Sequence, residues 1–210
     1  MCLRFAVAAV CAAFVVVIGR GIAAAETIHL EINPQKSEVK ASVAEPLGQL
    51  RDQVQTDGTF KIISGDVDGD PNNPGQTGHV KLVIDATSYD SGNDHRDRAV
   101  LSSALETAQY QTISFESIRL EKVQIDAPGK MGSATVVGNL TLHGTTREMS
   151  VPVNASISPE GTLIADGQMT FRYTDFGVRA PRLLFALPAG KEVTVEFHVI
   201  AEPANAQQSK

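Results

Sequence analysis

The sequence predicts an all-β chain: an antiparallel barrel or sandwich of about eight strands with one short helix. Three observations carry this prediction. The first is a hairpin pattern from Val136 to Val153. Val136, Leu140 and Leu142 share one face of its first arm, and Met149, Val151 and Val153 share one face of the second. Such period-two alternation marks a strand with one face buried and the other in water. Gly144, with Thr145, Thr146 and Arg147, supplies the turn between the arms. The second observation is that the same alternation recurs along the chain. The third is that a single segment breaks it with a helical period.

Taken in order, residues 1–25 read as a secretory signal peptide. Arg4 gives the positive start, Phe5 to Ile18 is an uncharged apolar run, and Ala23-Ala24-Ala25 offers a cleavage site before Glu26. The run is short for a bilayer, which needs roughly 20 apolar residues, so no integral membrane segment is expected after cleavage. Cys11 sits mid-run, not after a small-residue box, which excludes a lipoprotein. Cys2 and Cys11 both fall in this segment, so the mature chain is expected to lack disulfides, thiol chemistry and cysteine metal sites.

The mature part, about 185 residues, is long enough for one sizeable core. Loss of Arg4 and Arg20 takes the formal net charge from −6 to −8, and an acidic surface argues against nucleic acid as a partner.

Phe60 and Ile62 open the strand series, and the turn-rich Ser64 to Gly75 follows. Val80, Leu82 and Ile84 form the next inward set, then Ile113 and Phe115. Past the hairpin come Ala165, Gly167, Met169 and Phe171, and finally Val193, Val195, Phe197 and Val199. The exception is Arg96 to Ala108, where Ala99, Val100, Leu101, Ala104, Leu105 and Ala108 fall at helical spacing, with Asp94 as N-cap. No repeat or linker divides the chain. One domain is expected over residues 26–203, with a disordered tail at 204–210.

Glycines at inward positions, Gly138 and Gly167, either leave room for a ligand or mark bulges and tight bends. A search for catalytic signatures finds no G-x-S-x-G, P-loop or H-E-x-x-H. The five histidines (His29, His79, His95, His143, His198) are scattered, and His143 is read as an outward or turn residue. The cluster of Asp94, His95, Arg96 and Asp97 fits a helix start and an Arg96–Asp97 pairing better than a general acid or base. Asp66, Asp68, Asp70 and Asn72 suggest a calcium loop, but Pro71 and Thr77 stand where an EF-hand needs Gly and Glu. Two glycosylation-type triplets, at Asn139 and Asn154, are read as chance.

Five stretches together carry a resemblance. They are Gly58-Thr59-Phe60 with Ser64-Gly65, Arg96-Asp97 followed by Leu101, Tyr110 to Ser117 (YQTISFES), Gly138 to Arg147 (GNLTLHGTTR) and Arg172 to Gly177 (RYTDFG). In this order the chain resembles the YceI-like family of secreted bacterial proteins. The resemblance implies a lipocalin-like antiparallel barrel with a long apolar tunnel for a polyisoprenoid or similar long-chain lipid. The chain departs from the family pattern at Asn33-Pro34-Gln35-Lys36-Ser37, at Ala104-Leu105 and at Tyr110-Gln111. These departures bear on tunnel width and ligand choice.

The expectation is therefore a periplasmic protein that holds a long-chain isoprenoid or fatty-acyl lipid for transport or storage, with no cofactor, no metal and no catalysis. A homodimer is left open. The expected ligand-binding residues are Phe60, Leu82, Ile84, Phe115, Leu140 and Leu142, with Met169, Phe171, Phe176 and Phe185. Arg179 and Arg182 would either meet a lipid phosphate at the tunnel mouth or face water in a solvated loop. The alternatives are an enzyme acting on such a lipid and a ligand-free, stress-related interaction protein with a filled barrel.

Overall fold

The computed structural model describes residues 27–46, 53–70, 72–125, 132–179 and 191–204. The expected signal peptide and nearly all of the expected tail lie outside these residues. Nine strands are formed: β1 (Ile28–Ile32), β2 (Glu38–Pro46), β3 (Gln53–Gly69), β4 (His79–Asp90), β5 (Thr112–Gln124), β6 (Ser133–Leu142), β7 (Thr145–Ile157), β8 (Leu163–Arg172) and β9 (Glu192–Pro203). All pairings are antiparallel, in the order β3-β2-β9-β8-β7-β6-β5-β4, and β4 pairs back onto β3. The result is a closed barrel with eight strand positions, as the alternation predicted. β1 and β2 share one position. Both lie between β3 and β9, with Leu30 opposite Pro203 and Glu38 opposite His198. Asn33 to Ser37 interrupt them.

The register explains why the alternating sets are inward. Leu82, Phe115 and Leu140 are aligned across β4, β5 and β6, and Val136 lies opposite Val151. The β6–β7 turn is tighter than expected. It consists of His143 and Gly144 alone, both at positive φ (51° and 70°), while Thr145, Thr146 and Arg147 already belong to β7. His143 is thus a turn residue, as expected; its ring centroid lies 4.4 Å from that of Tyr110 and its Nε2 3.0 Å from Glu106 Oε2.

Two further expectations are corrected. Ser64 to Gly69 form strand, not turn. Their inward positions are Gly65 and Val67, and Ile32 occupies the space a Gly65 side chain would take, so the alternation is invisible in this stretch. The helix is shorter than Arg96–Ala108. It comprises α2 (Asp94–Ala99) and a π turn (Val100–Ala104), and Glu106 then takes a positive φ of 49°. Its N-cap is Asn93, whose Oδ1 accepts from the backbone N–H of His95 and Arg96, both at 3.1 Å. A single turn, α1 (Pro74–Thr77), precedes β4, and a 3-10 turn (Tyr173–Phe176) follows β8.

The interior divides in two along the barrel axis. One cluster gathers Leu30, Ile32, Val39, Ile62, Ile84, Ala155, Leu163, Val199 and Ala201. The other gathers Ala104, Leu105, Leu140, Leu142, Tyr173, Phe176, Val178 and Val193. Phe60, Ile113 and Val195 touch both.

Candidate functional site: the barrel lumen

An eight-stranded barrel is just wide enough either to be filled by its own side chains or to hold one small ligand. Here the middle is hollow. The lumen encloses a cavity of about 170 Å³. For scale, an apolar cavity of roughly 150 Å³ suffices to bind benzene. Leu30 and Ile32 (β1), Val67 (β3), Leu82 and Ile84 (β4) and Phe115 and Leu120 (β5) line one side. Val136 and Leu140 (β6), Val151 and Val153 (β7), Ala165 and Met169 (β8) and Val195, Phe197 and Val199 (β9) line the rest.

An inward residue of a closed sheet reaches water only through the lumen or its mouth. Leu82, Phe115, Val153, Ala165, Met169, Val195 and Phe197 all line the cavity yet are only half-buried. Their residual exposure is exposure to the lumen.

The cavity reaches the barrel rim at Asp68, Gly69, Asp70, Pro74 and Gly78. Asp70 Oδ1 there accepts from Asn72 N–H at 2.8 Å, and the Asp70 N–H donates to Thr77 Oγ1 at 2.7 Å. Among the described residues no buried side-chain polar atom lacks a hydrogen-bond partner. The lumen wall is therefore apolar, with polar groups only at the rim.

The opposite end is packed shut by the second cluster. Phe176 is 1% exposed and meets the Phe171 ring at 5.2 Å, edge to face. Arg147 Nε donates to the Asp175 carbonyl at 3.3 Å, which ties the 3-10 turn to β7.

The expected binding residues divide between these two ends. Leu82, Ile84, Phe115, Leu140 and Met169 line the cavity. Phe60 stands at the junction of the two clusters, outside the lining. Leu142, Phe171 and Phe176 belong to the packed end. Arg179 follows Val178 of that end and is exposed, so it stands away from the rim that the cavity reaches. Arg182 and Phe185 lie outside the described residues. Sequence reasoning passed over Leu30, Ile32, Val136, Val195, Phe197 and Val199. The β9 residues already stood in an inward set, and Ile28-x-Leu30-x-Ile32 carries the same alternation.

Neither inward glycine leaves an empty niche. A Cβ at Gly138 would lie 2.5 Å from the tip of the Phe115 ring, and one at Gly167 would collide with the Phe197 ring. Each glycine is covered by an aromatic ring from a neighbouring strand.

The polar clusters have structural partners. Asp97 Oδ1 accepts from Ser91 N–H at 3.0 Å and from Ser91 Oγ at 2.5 Å, closing the loop before α2; the expected Arg96–Asp97 pairing gives way to this one. On the outer face, His29 Nδ1 lies 2.6 Å from Asp68 Oδ1. This hydrogen bond raises the His29 pKa above its ordinary 6.5. Asp66 and Asp68 project from a strand, not from a calcium loop, and with His79 form a group whose donor atoms lie within 4.8 Å of one another.

A closed antiparallel barrel with an apolar, hollow lumen and one packed end defines a lipocalin-like fold. Residues 30–201 match the model of the YceI-like domain, and the chain belongs to that family. It is 33% identical over 148 residues to a UPF0312 protein of Vibrio campbellii, covering 68% of this chain and 71% of the relative. It is 30% identical, with the same coverage, to UPF0312 protein PA0423 of Pseudomonas aeruginosa. Among solved structures, Burkholderia cenocepacia BcnA superposes with a TM-score of 0.66 at 25% identity, covering 80% of this chain and 98% of that one. A polyisoprenoid-binding domain from Saccharophagus degradans, implicated in plant cell wall breakdown, shares the fold with a TM-score of 0.63 at 15% identity. That match covers 83% of this chain and 98% of that one.

Proposed function

We propose that this protein is a periplasmic carrier that holds one long apolar lipid, an isoprenoid or a fatty-acyl chain, in its lumen for transport or storage. The hollow lumen carries this reading: inward apolar residues in the middle of a closed barrel remain half-exposed. A filled barrel would bury them. Affinity then comes from removing apolar surface from water, at roughly 25 cal/mol per Å², and the polar head of the ligand stays at the rim. The Asp70 carboxylate stands at that rim, so an uncharged head suits it better than a phosphate. The Saccharophagus domain of the same fold binds a polyisoprenoid, which supports the choice of ligand class. Asp97, hydrogen-bonded to Ser91, is occupied by a structural role, and this weighs against the enzyme reading.

The test is native mass spectrometry of protein purified from the periplasm, followed by organic extraction and lipid analysis. A stoichiometric prenyl or acyl species is the expected result. An empty protein that also fails to take up added prenyl alcohols would overturn the reading.

A further inference from the structure

The two glycine–aromatic pairs of the lumen have a common geometry. Phe197 on β9 lies directly opposite Gly167 on β8. Phe115 on β5 lies diagonally from Gly138 on β6, whose register partner is Ser117. In the strand order, β5 and β9 are four positions apart in either direction, so the two phenylalanines stand on opposite walls. Both line the cavity.

Each ring leans over a glycine of the adjacent strand and so lies back along the wall. Any larger residue would force it off. At Gly138 a Cβ would also approach the Glu116 carbonyl to 2.6 Å, and at Gly167 the Pro152 carbonyl to 2.7 Å. Two opposite walls of the lumen thus each carry an aromatic ring seated on a glycine.

The cavity lining is extended along the strands. On β6 it runs from Ala134 to Leu140 and on β7 from Val151 to Ile157. Six steps at the rise of a strand make roughly 20 Å along each. The lining therefore follows the strands along the barrel and is not gathered round one point. It is nearly all apolar.

We infer that Phe115 and Phe197, seated on Gly138 and Gly167, form a cross-section filter that admits a single acyclic hydrocarbon chain and excludes fused-ring lipids. The inference rests on the lipid-carrier reading and specifies its ligand class. Apolar character alone would not separate the two kinds of lipid; the distance between opposite walls does. Specificity of this kind comes from a clash with the wrong ligand, not from an added contact with the right one.

The experiment titrates delipidated full-length protein with farnesol and with cholesterol, each delivered from cyclodextrin, and compares wild type with Phe115→Leu, Phe197→Leu and the double variant. Wild type is expected to bind farnesol and to bind cholesterol at least about tenfold more weakly, the scale on which an apolar pocket discriminates by size. The double variant should reduce that gap to within about threefold, read as the ratio of the two affinities and not as the affinity for farnesol itself. Phe197→Trp, which adds bulk on the same wall, should widen it. Circular dichroism confirms that each variant is folded. If the double variant does not fold, the two single variants make the same comparison. Equal binding of both lipids by wild type, or an unchanged gap in folded leucine variants, overturns the filter and leaves the carrier reading standing. Failure of wild type to bind farnesol overturns the carrier reading, and the filter falls with it.

Discussion

At Gly167 a single methyl group has nowhere to go. The ring of Phe197 and the Pro152 carbonyl occupy its place. Gly167→Ala is therefore expected to destabilise the fold by about 1–3 kcal/mol through overpacking, measured by urea unfolding. Adding Phe197→Leu should recover only part of this, because the carbonyl remains. The sequence marked Gly167 as inward but offered either a vacancy or a bend; what fills the space is a side chain from another strand, which no local pattern reports. A second residue-scale consequence concerns His29. Its hydrogen bond to Asp68 raises its pKa above 6.5, so the protonated ring is favoured in the folded state. That stabilisation is fully present below the ordinary pKa and is lost as pH rises through the raised one. NMR titration should place the His29 midpoint above 6.5, and Asp68→Asn should return it toward that value.

At the scale of elements, caps and packed ends decide what periodicity cannot. Asn93 and Asp94 are adjacent, and both residue types cap helices well. The backbone settles the matter: Asn93 is extended, at φ −139° and ψ 102°, with its side chain turned onto the first turn, whereas Asp94 is already helical. Asn93→Ala should cost about 1 kcal/mol in equilibrium unfolding, and Asp94→Ala distinctly less. The C-terminal boundary was equally hidden. Ala104 and Leu105 have helical spacing, yet they turn into the packed end, and the chain leaves the helix through a π turn and a positive φ at Glu106. Tyr173 to Phe176, which close the barrel there, carry neither strand nor helix periodicity and acquire their role only from the neighbours they meet. Truncating the most deeply buried of them, Phe176→Ala, is expected to cost about 3–5 kcal/mol, read as a lowered denaturant midpoint.

For the whole molecule, the alternation predicted the closed sheet and the inward sets, because a barrel has one buried face and pairs nearest neighbours in sequence over most of its circumference. It did not predict which inward residues would line a hollow and which would pack. Leu142 and Leu140 lie two residues apart on one face and both join the packed end, yet only Leu140 also borders the cavity. Occupancy of that hollow should be legible in global stability. A ligand that binds only the folded barrel adds about 2.7 kcal/mol at a hundredfold excess over its Kd. Extracted protein should therefore melt at a lower temperature than protein as purified, and a bound prenyl alcohol should restore the difference. Equal melting temperatures for extracted and reloaded protein would contradict this.

Closure by the last strand also fixes an order of events. β9 holds both β2, from the start of the chain, and β8, which precedes it, and its final residues secure β1 through Leu30 and Pro203. Until β9 is added, the growing sheet has two open edges and an uncovered apolar face. Most of the hairpins can form locally as they are synthesised, but the seam joins residues some 170 positions apart, a non-local pairing of the kind that makes β proteins fold slowly. The barrel is thus an all-or-none container: a chain lacking its final twelve-residue strand has no lumen in which to hold anything.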